Sequence, residues 1–443
     1  MTDLQIAFDS LKAKAKHHNL RWDYYGGKQP LRWTSEKLYD VFGSDQSDYV
    51  LNWCAAIVDA TVNRMQLEGF QVANNEAMST RLNDLIDMSG LLIDSDIVHK
   101  ECDITGESYV IAWRGDDGEI EAYRNDSRNV HIAYAPDKPR AKRMAAKWWV
   151  DDSEHRRITL YYPDRLEYWR SVKKSEDIGD FKEADWTMEA SATNPFGTIP
   201  VFHFRLGGCG ESELDNALSL QDIVNKTLSD LVVAGEFESF PQRWMITKSD
   251  MPSGGMPISP KEVWKLPPNE DPDAQPVTLG QFDAADLNNF LKTIDSISQS
   301  MAAITHTPKH IFWGQGGQIS GEALMALEAP LIKKVTRYLA RMKQTWRELG
   351  VFLLQLEGQS PGAVTDVKAI FADPKTVQPL TQALVRSTNV GAGIPLVTLL
   401  RDEGWTDAEI EQMNSDEEAP GVRLANRLSP QPTFGPEPDT ESS

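Results

Sequence analysis

HTPKHIFWGQGGQISGEA, residues 306–323, lies between two stretches of helical periodicity. It runs from proline and aromatic residues through Gly314, Gly316 and Gly317 and straight into another helical pattern. Such a segment can be a phosphate cradle, a turn presenting a nucleophile, or a loop that needs glycine hinges and does no chemistry. A cradle would use successive backbone N–H groups near a helix N-terminus. No strand precedes it, however, and the chain arrives from a helix through Pro308. The Lys-Ser/Thr pair that completes a phosphate-binding loop is also missing.

The flanking stretches explain why the segment matters. Before it, DLNNFLKTIDSISQSMAAITH places Leu287, Leu291, Ile294, Ile297, Met301 and Ile304 at spacings of three and four. That is the apolar seam of a helix. Asn288, Lys292, Asp295, Gln299 and Ala303 form a small, polar opposite face. After it, GEALMALEAPLIKKVTRYLARMKQTWRELGVFLLQL continues as one helix, with Pro330 inside as an expected kink. Upstream, ESELDNALSLQDIVNKTLSDLVVAGEFESF aligns Leu214, Leu218, Val224, Leu228 and Leu231 in a stripe, a second rod of about 45 Å that Pro241 stops. Residues 241–281 are Pro/Gly-rich, with strand-like RWMIT and EVWKL. Ser259-Pro260-Lys261-Glu262 reads equally as a capping box.

The N-terminal half is different. Residues 1–18 and SDYVLNWCAAIVDATVNRM read as helices, and RLNDLIDMSGLLIDSDIVHKECDITG as two more divided near Ser89-Gly90. At Gly106 the period changes to two. GESYVIAWRGDDGEIEAYRN is a hairpin about Asp116-Asp117-Gly118, followed by NVHIAYA, AAKWWVDD, RRITLYY, RLEYWRS and GTIPVFHFR as strands. Beyond the long helix come a strand in VTDVKAIFAD, a helix from about Lys375, and another opened by Thr406-x-x-Glu409. The Pro-rich acidic tail SPQPTFGPEPDTESS reads as disordered.

The 443 residues are 40% hydrophobic, enough for a substantial core and two to three domains. A net charge of −21 (45 basic against 66 acidic residues) excludes a broad basic docking face for nucleic acid or anionic lipid. Cys54, Cys102 and Cys209 are sparse and unpatterned, as reduced thiols of an intracellular chain are. No signal peptide or membrane-spanning run is expected. Gly358-Gln359-Ser360-Pro361-Gly362 matches a nucleophile elbow, but a helix precedes it and Pro361 lacks the N–H an oxyanion hole requires. The eight histidines are scattered apart from His17-His18, and DEE at 416–418 reads as solvated surface. No catalytic group, cofactor or metal is expected.

What remains is geometrical: two long helices joined by a compact excursion, each with a seam to bury and few mates in the chain. Repetition around an axis would bury the seams between copies and leave polar faces around a central hole. That order resembles the portal proteins of tailed bacteriophages, in particular the Gp6-like siphophage branch. WDYYGGKQPL, NWCAAIVDATVNRM, GESYVIAWRGDDGEIEAY, ELDNALSLQDIVNKTLSDLVVAGEFESFPQRW, VWKLP and FWGQGGQISGEALMALEAPLIKKV carry the resemblance in that order.

The resemblance implies an α+β portal fold assembled as a ring of twelve. Residues 1–210 would be the wing, 211–240 and 282–305 the stem helices, and 241–281 a small clip. Residues 306–320 would be a tunnel loop, 321–358 a long kinked wing helix, 359–428 a wing strand and helical crown, and 429–443 a disordered tail. The implied partners are double-stranded DNA in the channel, the large terminase subunit, head–tail adaptors, and the major capsid and scaffolding proteins, without a membrane. The protein would sit at the portal vertex of the virion and assemble in the host cytoplasm.

On this reading Lys309, His310, Gln315 and Gln318 are DNA-facing loop candidates, and Lys292 and Gln299 channel-lining ones. Alternatively, Ile311, Phe312 and Trp313 only anchor the loop, and Lys292 pairs with Asp295 or a neighbouring copy. Arg243, Lys248, Lys261 and Lys265 are clip candidates for DNA, motor or adaptor docking. Two further readings stand beside this one: a phosphate-handling enzyme using residues 314–322, and a monomeric protein-binding module whose helices pack internally.

Overall fold

In the computed structural model, Gly90 at φ 66° separates two helices at the expected place, and Gly106 at φ 86° ends the second where the period changes. A Cβ on Gly106 would stand 2.6 Å from the Glu211 carbonyl oxygen, so only glycine fits there. The structure describes residues 2–30, 50–115, 118–174, 179–207, 210–239, 243–246, 278–281, 286–313, 320–359, 366–375, 387–402 and 410–413.

Helix α1 (Asp3–Tyr25) buries Leu4, Ala7, Phe8 and Leu11 and is capped by Thr2. It extends past residue 18 because His18 and Tyr24 are buried too. Helix α2 (Trp53–Val62) is shorter than its apolar pattern, because the Asn52 side chain accepts from Ala55 N–H and fixes its start. Strand β1 (Leu67–Val72), α3 (Glu76–Met88) and α4 (Leu91–Thr105) follow.

Strands β2 (Glu107–Arg114) and β3 (Ile120–Asn125) form the expected hairpin, and β9 (Val201–Arg205) joins β2 on its other side. Strands β4 (Val130–Ala135), β5 (Lys138–Val150), β6 (His155–Tyr161), β7 (Arg165–Lys174) and β8 (Trp186–Thr193) make a five-stranded antiparallel meander in sequence order. Strand β8 escaped the sequence reading because MEASAT carries almost no apolar signal and lies exposed at the sheet edge.

Helix α5 (Leu218–Ser239) begins later than Glu211, since residues 212–217 make tight turns first. Strand β10 (Arg243–Ile246) pairs antiparallel with β11 (Thr278–Gln281), which the sequence did not announce. A Cβ at Gly280 would lie 2.3 Å from the Trp244 ring, so the indole covers the glycine. The two ends of the 241–281 excursion therefore meet; EVWKL and the Ser259–Glu262 box lie outside the described residues. Helices α6 (Asn288–Thr305), α7 (Lys309–Phe312) and α8 (Gly321–Leu356) come next, then β12 (Val367–Phe371).

Helix α8 spans 36 residues, about 54 Å, and runs on through Pro330. Pro330 leaves the Ala326 carbonyl without its donor, but both residues are exposed and water can serve it. The inward face of α8 carries the main core, with Trp346 fully buried against Phe70 and Phe204 and donating to His99 Nε2 at 2.9 Å. Burial lowers His99 to about 4, so the ring is a neutral acceptor. Strands β1 and β12, nearly three hundred residues apart, pair antiparallel over this core.

Two more cores flank the large sheet. One lies between α1 and the meander, and the other joins the meander to β2 and β9. Helix α1 is also fixed by a buried polar cluster around Glu107, which takes Lys14 Nζ at 2.8 Å, Tyr109 OH at 2.7 Å and His203 Nε2 at 3.1 Å. His18 Nε2 is 3.4 Å away, and its Nδ1 meets Ser127 Oγ at 3.0 Å. Burial opposes ionisation of Glu107, yet the His203 hydrogen bond and the Lys14 charge outweigh it and hold the carboxyl below its usual range. These elements belong to a compact unit of residues 1–375; a second unit, 376–443, contains helix α9 (Leu396–Asp402). The Thr406–Glu409 box and the tail lie outside the described residues.

Candidate functional site

The two predicted rods exist as α5 and α6 and pack against each other. Val224 of α5 and Ile294, Ile297 and Met301 of α6 share a cluster with Trp53, Ile57 and Phe312. The chain thus supplies more cover than the seams suggested: α2 fills the middle. The ends of the second seam remain open, with Leu291 at 42% and Ile304 at 44% exposure.

Sequence reasoning missed the polar groups that hold α2 in place. Gln221 Oε1 accepts from the Trp53 and Cys54 N–H groups at 2.9 and 3.1 Å. Its Nε2 donates to the Leu51 carbonyl at 2.7 Å, and Tyr24 OH donates to Asp222 at 2.8 Å. Gln221 therefore serves orphan donors at the start of α2 from across the interface. Polar residues at 221, 222 and 225 inside an apolar helical stripe were the signal, but their partners lie some 170 residues away.

Helix α6 ends at His306, in the left-handed region at φ 52°. The Thr305 carbonyl just before it accepts from Lys334 Nζ at 2.7 Å. Lys334 also pairs with Glu213 Oε1 at 2.6 Å, and Tyr338 OH donates to Glu213 Oε2 at 2.7 Å. One lysine of α8 thereby ties the end of α6 to the turn that begins α5. Asp103 nearby is fully buried, and its carboxyl has no hydrogen-bond partner among the described residues. Burial, reinforced by Glu213, pushes its carboxyl well above the usual range and keeps it neutral.

The segment of residues 306–323 begins as a structured turn. Lys309, a predicted DNA-facing group, forms an ion pair with Asp295 at 2.7 Å. That carboxylate was one of two mates the alternative reading offered Lys292, which is exposed with no ion pair among the described residues. Gln299 is exposed beside it, with Nε2 3.3 Å from Asp295 Oδ2. His310 is half-buried, and its Nδ1 has no hydrogen-bond partner among the described residues. Phe312 packs on Trp53 in a tilted arrangement with centroids 5.6 Å apart, Trp313 packs on the same cluster, and Ile311 packs on the main core. These three side chains are therefore anchored in the fold.

Gln315 and Gln318 lie outside the described residues, as do Lys248, Lys261, Lys265 and the side chain of Arg243. At the far end Ser320 caps α8 by accepting from Ala323 N–H at 3.3 Å. Glu322 stands in the first turn. A phosphate there would meet an occupied cap and a carboxylate, which weighs against the cradle. The Lys309–Asp295 pair is partly solvated, so Lys309→Ala should cost only about 0.5 kcal/mol in urea unfolding. A loss above about 2 kcal/mol would mean the pair holds the turn rather than decorating it.

Among the described residues, no group of three or more His, Cys, Asp or Glu could hold a metal ion. No helix there is long and apolar enough to cross a membrane. Burial pushes the Cys54 thiol up to about 12 and Cys102 well above its usual value, so neither is a nucleophile at neutral pH. Cys209 lies outside the described residues.

The family described as "Phage portal protein, SPP1 Gp6-like" matches residues 8–420. The portal protein of Mycobacterium phage D29 is 26% identical over 401 residues, which cover 84% of this chain and 80% of that protein. The portal protein of Mycobacterium phage L5 is 24% identical over 420 residues, covering 86% and 84%. Among solved structures, a chain from the virion of a native gene transfer agent particle aligns over 91% of this chain and 96% of its own. Its identity is 12% and its TM-score 0.44, too distant a likeness to argue from.

Proposed function

From the premise that this chain belongs to the SPP1 Gp6-like family of phage portal proteins, we propose that twelve copies form a ring at one capsid vertex. Double-stranded DNA passes inward through it during packaging and outward at ejection. The family is a structural one, and the chain acts as conduit and platform rather than as an enzyme.

The observation that carries this reading is the hairpin of α5 and α6. Its polar stripe, with Asn288, Lys292, Gln299 and Ala303 exposed, is left open while α2 covers the apolar interior. In the ring, α5 and α6 are the stem, α8 and the sheets the wing, and the excursion closed by β10 and β11 the clip. The crown comes from the residues after the wing strand. Lys292 and Gln299 line the bore, with His310, Gln315 and Gln318 on the tunnel loop. Lys309 reaches DNA only by leaving Asp295. The clip, with Arg243, Lys248, Lys261 and Lys265, docks the large terminase subunit and later the adaptors, while the outer surface meets capsid and scaffolding proteins. Assembly takes place in the host cytoplasm.

Charge supports a conduit. Twelve copies at −21 each carry about −250, so the bore repels a duplex except at sparse basic rings. A strongly phosphate-binding wall would hold DNA by counterion release and stop it sliding.

The test is the mass of the purified chain by light scattering, with particle images of the same sample. A ring of about 0.6 MDa, twelve times 49.7 kDa, with a central hole is expected. A 50 kDa monomer that persists at high concentration would overturn the ring and favour a monomeric binding module.

A further inference from the structure

The sheet formed by β1 and β12 has only two strands, so among the described residues the outer edge of β12 has no partner. The Asp366 carbonyl accepts from Ala73 N–H, and Ala372 N–H donates to the Gln66 carbonyl, each at 3.0 Å. In an antiparallel pair these bonds alternate. The even-numbered residues of β12 therefore face β1, and the backbone N–H and C=O groups of Val367, Ala369 and Phe371 point to the open side.

That side is a groove. Residues 196–199 also line it, and its apolar floor offers half-buried Phe196 and Val351 and exposed Ile370. Its lining carries Arg140, Lys142, Lys343, Arg347 and Lys368 against a single carboxylate, Glu348. On a chain of net charge −21, this reversal of sign is local and specific. Lys142 is partly committed, donating to the Val201 carbonyl at 2.7 Å, whereas Lys343 and Lys368 are exposed. An unpaired edge beside an apolar floor is a template for strand addition. The cationic rim selects what adds to it.

We propose that this groove is a docking site for an extended acidic segment of another protein, which pairs with the open edge of β12 as an added strand. Alternate apolar side chains of that segment cover Phe196, Val351 and Ile370, and its carboxylates meet Lys343 and Lys368. The inference stands on the groove alone and shares no residue with the hairpin, so it does not depend on the channel reading.

The experiment uses the full chain in its purified assembly state and a fluorescent ten-residue peptide of alternating Glu and Val, followed by anisotropy. Binding is expected, and should be lost for the Lys/Val counterpart. N-methylation of the peptide at alternate positions, which removes one edge of donors, should weaken it roughly tenfold. Lys343→Glu with Lys368→Glu should weaken it roughly tenfold as well, with an unchanged unfolding midpoint because both side chains are exposed. Ala369→Pro removes a single outward N–H and should weaken it roughly fivefold. Should Ala369→Pro fail to fold, the methylated peptide still tests the strand pairing. Equal affinity for plain and N-methylated peptides, or no binding, would overturn the proposal. So would displacement by a 20-base-pair DNA duplex, which would make the groove a phosphate site. Binding by dissociated chains but not by the assembly would also overturn it, since a neighbouring copy would then fill the groove.

Discussion

Replacing Lys334 with methionine is expected to cost about 3–5 kcal/mol of folding stability, a large share of what a domain possesses. The side chain is nearly fully buried and donates to Glu213 and to the Thr305 carbonyl. Methionine fills the same space without charge, so the loss is electrostatic rather than a cavity. It leaves the Glu213 carboxylate uncompensated beside Asp103 and the last carbonyl of α6 with only the Thr307 hydroxyl, at 3.4 Å, as a donor. Urea unfolding measures the cost, and a loss below about 1 kcal/mol would show that water replaces the ammonium and that the junction is not held by charge.

The double variant Lys334→Met with Glu213→Gln should recover about half of that loss, because a neutral amide still accepts from Tyr338. In the single variant, amide exchange should rise at residues 301–312, where α6 hands over to α7, while the β2–β3 hairpin stays protected. Asp103 adds a pH signature of known sign. Its folded carboxyl holds a proton that the unfolded chain releases at an ordinary carboxylate pKa. Its contribution is fully present below that pKa and lost as pH rises through the higher folded value.

Acidification is the second large effect, and it acts through other groups. Burial lowers His18, His99, His131 and His203 to about 4 each. In the unfolded chain they titrate near 6.5. Between those values the unfolded state binds protons that the folded state refuses, so stability falls as pH drops from about 6.5 toward 4. Glu107, held below its usual range, extends the loss to lower pH as its own proton returns. The combined loss between pH 7 and 4.5 from the four histidines should be on the order of 10 kcal/mol, enough to unfold the domain. Urea midpoints at pH 7.5, 6.0 and 4.5 measure it. A flat profile would mean that these rings accept protons in place, with water reaching the cluster between α1 and β2.

Periodicity was sufficient for the long helices and most strands. The seam from Leu287 to Ile304 and the 36 residues of α8 repeat an apolar signal over many turns, and the switch at Gly106 from helical to alternating order is sharp. Some short elements without a strong apolar alternation were not legible. Strands β1, β8 and β11 offer at most eight residues, and their order comes from partners elsewhere in the chain. The joint order of the segments pointed to the family that the match over residues 8–420 shows.

Local pattern along the sequence determined which faces are apolar, where backbone must turn, and the order of the long helices and most strands. Only tertiary structure decided which polar groups are spent inside the fold. Lys309, read as free to meet DNA, is paired with Asp295, while Lys292 is left exposed in its place. Lys334, Glu107 and Gln221 gave no signal beyond being polar residues in apolar company. The physical reason is range. Helical and strand periodicity arises between residues a few positions apart, whereas a buried charge is stable beside groups that the fold brings to it, such as Lys14 and His203 at Glu107 and Glu213 at Lys334, from dozens of residues away or more.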